Sequence, residues 1–399
     1  MKTSSPKLHS TALLSALATA TLVACGGSNP DALLTLDGKQ PLVVAHRGAS
    51  GYLPEETVEA YIKAIDLGAD AIEPDLVSTK DGVLIARHDP NLAYSTNVAS
   101  IAKFADRKRT MTVDTEVQEG WFAGDFTLAE IKELGGISTD SERPQQFNGQ
   151  YKIATFQEII DLAKSRSVNG RVVSVYPETK NPSFHREIGL PLEDKLIAMV
   201  KAAGWNSKDA PIYVQSFEPS SLKYLKANGL ATKLVQLIDA DDVDLATGAL
   251  TFAAPFDRPY DWFKSGDKRL FSAMVTPAGL AEIKTYADGI GPWKPYIISV
   301  KGQMGTDGKV KDVNGDGKVN YADASSMPPT TLIADAHKAG LIVHAYTFRN
   351  ESRRIPADFK NDPTAEYKAF YRLGIDGVFS DFSDTAIAAR AEYLKETGR

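Results

Sequence analysis

Short apolar, largely β-branched runs alternate with longer stretches of helical periodicity along most of the chain. The runs 42–46, 71–77, 83–88, 172–178, 212–217, 233–237, 296–300, 341–346 and 377–381 read as strands. Between them, 56–67, 128–134, 156–165, 193–203, 222–228, 280–288 and 330–339 carry a helix-like pattern. Strand followed by helix, repeated, predicts a parallel sheet, and eight such units close into a TIM (β/α)8 barrel, an α/β fold. Nine strands are one too many. Only Ser78-Thr79-Lys80-Asp81-Gly82 separates the second from the third, and a parallel crossover needs about a dozen residues. Asp81-Gly82 suits a tight turn, so 83–88 is expected to return antiparallel as a hairpin. Residues 91–151 are mostly polar and irregular, with Trp121 and Phe122 among them. They are expected to form a rim insertion after that hairpin, without a large core of their own.

Composition narrows the class. With 399 residues, 43% apolar and 24% charged, the chain is neither broadly disordered nor a polytopic membrane protein. The net charge is −6 and no compact basic run occurs, which argues against a nucleic-acid partner. The one cysteine, Cys25, ends a Lys2/Lys7-led stretch whose apolar part is too short to span a bilayer. Leu22-Val23-Ala24-Cys25-Gly26 resembles a bacterial lipobox, which implies a signal peptide over 1–24, lipidation of Cys25 and a tether over 25–40. The expectation is a lipid-anchored protein of the bacterial envelope, in the periplasm or at the outer membrane or cell surface. Gly26 carries no inner-membrane retention signal. Removing 1–24 leaves 43 cationic against 51 acidic residues, a charge of −8.

Barrel active sites lie at the C-terminal ends of the strands. His46 and Arg47 end the first strand. Glu73 and Asp75 share a face near the end of the second, opposite to Ile72 and Leu76, and so point inward. Two inward acids call for a cation. His88 ends the hairpin return, and Glu178 and Lys180 follow the next strand. Three oxygen ligands without Cys suit Ca²⁺ or Mg²⁺, two histidines suit general acid–base work, and Arg and Lys suit a phosphate.

HRGASGYLPEET at 46–57, IEPDLVSTKDG at 72–82, RHD at 87–89, YPETK at 176–180, HAYTFR at 344–349 and GVFSDF at 377–382 resemble the glycerophosphodiester phosphodiesterase family. The likeness runs in order over the barrel region, 41–399, and is nearest to the periplasmic or lipoprotein branch. It implies hydrolysis of glycerophosphodiesters to glycerol 3-phosphate and an alcohol. Glu73, Asp75 and Glu178 would bind the metal, with Ca²⁺ favoured in this branch. His46 would be the base for the glycerol 2-hydroxyl and His88 the acid for the leaving alcohol, through a cyclic phosphate. Arg47 would contact the phosphate, and Lys180 the phosphate or Glu178. The family's usual Asn is Glu56 here, which blurs the role of Glu55, taken as a substrate contact. Phe217, Tyr346, Phe348 and Trp121 are candidates for the substrate pocket, His185 for a place near the phosphate, and His337 for the surface.

A second calcium site is expected at 312–323, DVNGDGKVNYAD. Asp312, Asn314, Asp316, Lys318, Asn320 and Asp323 occupy positions 1, 3, 5, 7, 9 and 12 of an EF-hand-type loop, with Gly317 at position 6. Two other readings remain open: a lipid-anchored binder of phosphodiesters or host surfaces without turnover, and a related phospholipase-D-like barrel enzyme. An intact histidine pair favours catalysis.

Overall fold

The computed structural model describes Met1 and residues 32–399; the rest of the expected signal peptide, Cys25 and the first part of the expected tether lie outside them. Eight parallel strands close a barrel: β1 (Leu42–His46), β2 (Ala71–Glu73, resumed after Pro74 as Asp75–Ser78), β3 (Ser174–Val175, resumed as Glu178–Thr179), β4 (Tyr213–Ser216), β5 (Lys233–Ile238), β6 (Gly289–Pro292), β7 (Ile342–Phe348) and β8 (Gly377–Ser380). Pro74 and Pro177 each remove a ladder donor and split their strands. Closure is visible in the pairing. The lower halves of β2 and β3 pair at Ala71–Ser174, the upper halves at Asp75–Glu178, and β1 pairs with both β2 and β8. Each strand is followed by a helix, α1 (Val58–Asp66) after β1 through α8 (Ser383–Thr397) after β8. Leu84–Ala86 returns antiparallel to the upper half of β2, as the turn at Asp81-Gly82 dictates.

Alternation along the strands sorts the core. Val43, Ala45, Ile72, Val214, Val343 and Val378 face the helices in one large apolar cluster. Val44, Ala71, Tyr176, Val235 and Phe379 fill the barrel interior below the site. The insertion has more core than its composition suggests. Phe104, Trp121, Phe126, Ile131 and Leu134 bury against Val77 and Ile85 of the hairpin, so it is a lobe fused to β2.

One strand departs from expectation. Residues 296–300 are not the sixth strand; Gly289–Pro292 is, Lys294–Tyr296 is a 3-10 turn, and Val300–Gly302 belongs to a rim ribbon with Ala324–Ser326. Gly-Ile-Gly-Pro has poor β propensity, but its place is fixed by crowding. A Cβ on Gly289 would lie 2.4 Å from Ile342 Cγ1 and 2.8 Å from the Ile342 carbonyl oxygen, and one on Gly291 2.7 Å from Leu237. Gly289→Ala is therefore expected to destabilise the barrel by about 2 kcal/mol in urea unfolding; an unchanged midpoint would refute this account of β6.

The described residues ahead of β1 are docked. Ala32 is buried in the main core, Leu33 N–H donates to the Arg372 carbonyl at 2.9 Å, and Leu36 N–H donates to Asp376 at 2.6 Å. Arg399 grips the Ala32 and Leu33 carbonyls. These partners lie at the N-terminal ends of the strands, opposite the site. Among the described residues, no helix is long and apolar enough to cross a membrane.

Candidate active site

The alternation that sends Val44 inward also sends His46, Glu73, Asp75, Glu178, Gln215 and Asp381 toward the mouth from the strand ends. Among the described residues, Glu73, Asp75 and Glu178 form the one group of three or more acidic, His or Cys side chains whose ligand atoms lie within 4.8 Å of one another. All three are buried. Burial, then repulsion from Asp75, pushes the Glu73 carboxyl well above the usual range. Burial raises Glu178 likewise, against the pull of Lys180. Burial works to raise Asp75 too, but the charges of Lys180 and Arg47 prevail and hold it low. Asp75 Oδ2 is buried without a hydrogen bond. A divalent cation would relieve both the repulsion and the orphaned oxygen, so the donor set fits one.

The cationic groups are held around the acids. Arg47 has left-handed backbone (φ 57), and its N–H donates to Glu73 Oε2 at 2.8 Å. Its Nε lies 3.0 Å from Asp75 Oδ2, too poorly aligned for a hydrogen bond, and Nη1 lies 3.3 Å from Glu55. Lys180 Nζ is 3.2 Å from Glu178. Gln215 donates to Glu73 Oε1 at 2.9 Å. Glu56, also left-handed (φ 63), accepts from the Asp75 N–H at 2.9 Å. Such strain persists where the surroundings over-determine it, commonly at sites.

His46 is the more elaborately held histidine. Its Nδ1 is 2.6 Å from Asp381 Oδ1, while Asp381 Oδ2 accepts from Arg143 of the insertion at 2.5 Å and Arg349 at 2.9 Å. Burial, then the Arg47 charge, lowers His46 to about 4, with Asp381 opposing. His46 is thus neutral near pH 7. His88 is half-exposed, its Nδ1 2.9 Å from Asp89 Oδ2.

Two cavities meet here. One of about 860 Å³ is lined by both histidines, Glu178, Lys180, Phe217, Asp239, Trp293 and Tyr346. A recess of about 150 Å³ lies among His46, Arg47, Ser50, Glu55, Thr139, Asp140 and Arg143. The barrel fold is shared by known proteins. The sequence profile of the Glycerophosphoryl diester phosphodiesterase family matches residues 46–385. The chain belongs to that family. A glycerophosphodiester phosphodiesterase of Arabidopsis thaliana, GDPD6, is 38% identical over 87% of this chain and 85% of its own length. One from Haemophilus influenzae is 30% identical over 96% and 98%. The fold is shared with an Oleispira antarctica phosphodiesterase solved with the product sn-glycerol-3-phosphate (TM-score 0.51, 19% identity, 89% of this chain and 98% of that one). These relatives are hydrolases, and this chain is an enzyme of their family.

Several expectations need correcting. Trp121 is buried in the insertion, donating from Nε1 to the Phe104 carbonyl at 2.6 Å, and Phe348 is buried against Tyr367 and Phe370; neither lines a cavity. His185 is a buried structural residue, with Nδ1 on the Asn181 carbonyl and Nε2 accepting the Ser78 N–H, both at 3.2 Å. His337 is no free surface residue: Nε2 is 2.7 Å from Asp376 Oδ2. Glu55 sits against Arg47 and Thr139 and also lines the small recess. The calcium expectation at 312–323 is a separate matter: the carboxylates there accept backbone N–H groups. Asp312 accepts from the Gly315 and Gly317 N–H groups, and Asp323 from those of Val313, Asn314 and Asn320. Sequence reading missed Asp381, Arg143, Arg349 and Gln215. Counting in twos from Phe379 would have found Asp381.

Proposed function

We propose that the protein hydrolyses glycerophosphodiesters to sn-glycerol 3-phosphate and an alcohol, with Glu73, Asp75 and Glu178 holding a divalent cation and His46 and His88 moving the protons. The meeting of three buried acids with two histidines at one barrel mouth carries this reading. Carboxylate oxygens favour Ca²⁺, with Mg²⁺ as the alternative. When bound, the cation neutralises the acids and stabilises negative charge on the phosphoryl oxygens.

The small recess, walled by Ser50, Thr139 and Asp140, suits glycerol hydroxyls, and the large cavity suits the leaving alcohol. His46 borders both cavities and His88 only the large one. With Nδ1 tied to Asp381, His46 Nε2 takes the proton of the glycerol 2-hydroxyl as that oxygen bonds to phosphorus. The bond to the alcohol breaks, and His88 gives the departing oxygen a proton. Water then opens the cyclic phosphate, losing a proton to His88 while His46 returns one to the glycerol oxygen. Arg47 and Lys180 supply positive charge beside the phosphate. The reading extends to a second Ca²⁺ at Asp312, Asn314, Asp316, Lys318, Asn320 and Asp323, and to lipid anchoring at Cys25 in the bacterial envelope; the motifs at these positions support both.

Glycerol 3-phosphate release from glycerophosphocholine is expected to stop after EDTA treatment and return with Ca²⁺. Calcium titration is expected to show two sites, one of them lost in Asp312→Ala/Asp316→Ala. Full activity in EDTA would exclude the metal reading, and unchanged stoichiometry the second site.

A further inference from the structure

Beyond the phosphate position, the large cavity has a wall that the chemistry above leaves unused. Asp239 follows β5, one alternation past Leu237, and lines the cavity. Aromatic residues from the flanking strand ends line the same cavity: Phe217 after β4, Trp293 after β6 and Tyr346 on β7. The Trp293 N–H donates to the Ile238 carbonyl at 2.9 Å, and the Tyr346 hydroxyl donates to the same carbonyl at 3.0 Å. The Phe217 and Tyr346 rings meet edge-on, 6.1 Å apart at 88°. Among the described residues Asp239 forms no ion pair, and its backbone carbonyl is fixed by the Tyr296 hydroxyl, which donates to it at 2.7 Å. Lys180, over the Phe217 ring at 5.6 Å, is committed to Glu178. The cavity therefore holds, at this end, a carboxylate without an ion-pair partner and three aromatic residues from the neighbouring strand ends.

We infer that this corner is a subsite for an organic cation, so that the enzyme prefers diesters whose leaving alcohol carries a quaternary ammonium group. The inference rests on the phosphodiesterase reading above and deepens it. Aromatic faces attract a weakly hydrated ammonium through the ring quadrupole, and the carboxylate adds a full charge. Neutral alcohols such as glycerol gain neither. The reach is suitable. β3, which supplies Glu178, and β5, which leads to Asp239, are two strand spacings apart, about 10 Å. A head group esterified to a phosphate at Glu178 extends along that line past Phe217.

The test uses the metal-loaded full chain and a pair of isosteres. Choline and 3,3-dimethyl-1-butanol have the same shape, but only choline is charged. Choline is expected to inhibit at least about tenfold more strongly, the range of a desolvated cation–π contact. Glycerophosphocholine is expected to exceed glycerophosphoglycerol in kcat/KM by a similar factor. In Asp239→Asn both ratios are expected to fall below about threefold. Equal inhibition by the two isosteres in the unaltered protein, which needs no variant to fold, would overturn the cation subsite. If both diesters are hydrolysed at equal rates, the subsite fails and the phosphodiesterase reading stands. If neither is hydrolysed with metal present, both fail.

Discussion

Asp381→Asn is expected to lower kcat by about a thousandfold with a much smaller change in KM, by analogy with removal of the carboxylate behind a catalytic histidine. Asp381 accepts from His46 Nδ1 at 2.6 Å, which leaves Nε2 unprotonated and able to take a proton. An Asn side chain can present its amide to Nδ1 instead, and that hydrogen bond selects the opposite tautomer. The geometry would survive while the base is lost. The sign of the pH effect is equally definite. Burial and the Arg47 charge lower His46 to about 4, and Asp381 is the group that opposes them. Removing its charge lowers His46 further, so the acid limb of the residual activity is expected to shift to lower pH. A kcat within threefold of the unaltered protein, or an acid limb moved upward, would show that Asp381 does not act through His46.

Glu73→Gln is expected to separate stability from function. Without metal, Glu73 and Glu178 are pushed up by burial, and each also by the charge of Asp75. Replacing one acid by an amide removes that repulsion; the amide oxygen keeps the Arg47 N–H, and the new NH2 faces Gln215, whose unpaired Oε1 can turn to accept it. The metal-free variant is therefore expected to melt higher than the metal-free parent. The parent is expected to gain about 2.7 kcal/mol at a Ca²⁺ concentration of one hundred times Kd, and the variant almost nothing. Activity is expected to fall at least a thousandfold. Thermal unfolding with and without Ca²⁺, beside the glycerol 3-phosphate assay, reads all three effects. A variant stabilised by Ca²⁺ as strongly as the parent would remove Glu73 from the ligand set.

Much of this was legible in the sequence because it depends on local rules. Period-two alternation placed Glu73 and Asp75 inward, and the five-residue link with Asp81-Gly82 reduced nine strands to eight. β6 was illegible because Gly289 and Gly291 are chosen for closeness to Ile342 and Leu237, which no local propensity reports. The support of His46 was hidden for another reason. Asp381 lies 335 residues away in the chain, and Arg143 sits in the polar insertion, where composition suggested only an irregular rim segment. Trp121 and Phe348 went the other way. Their aromatic character suggested a pocket, but both satisfy packing inside the fold.

The docking of residues 32–36 beneath the barrel fixes where the preceding chain joins it. Whatever holds the chain ahead of Ala32 holds it by the pole opposite the catalytic mouth. A protein moored this way presents its entrance to open solution, with the whole height of the barrel between the mooring and the site. With the proposed lipid anchor at Cys25, its supply would be governed by diffusion of small water-soluble diesters, and a lipid still seated in the anchoring bilayer would be out of reach.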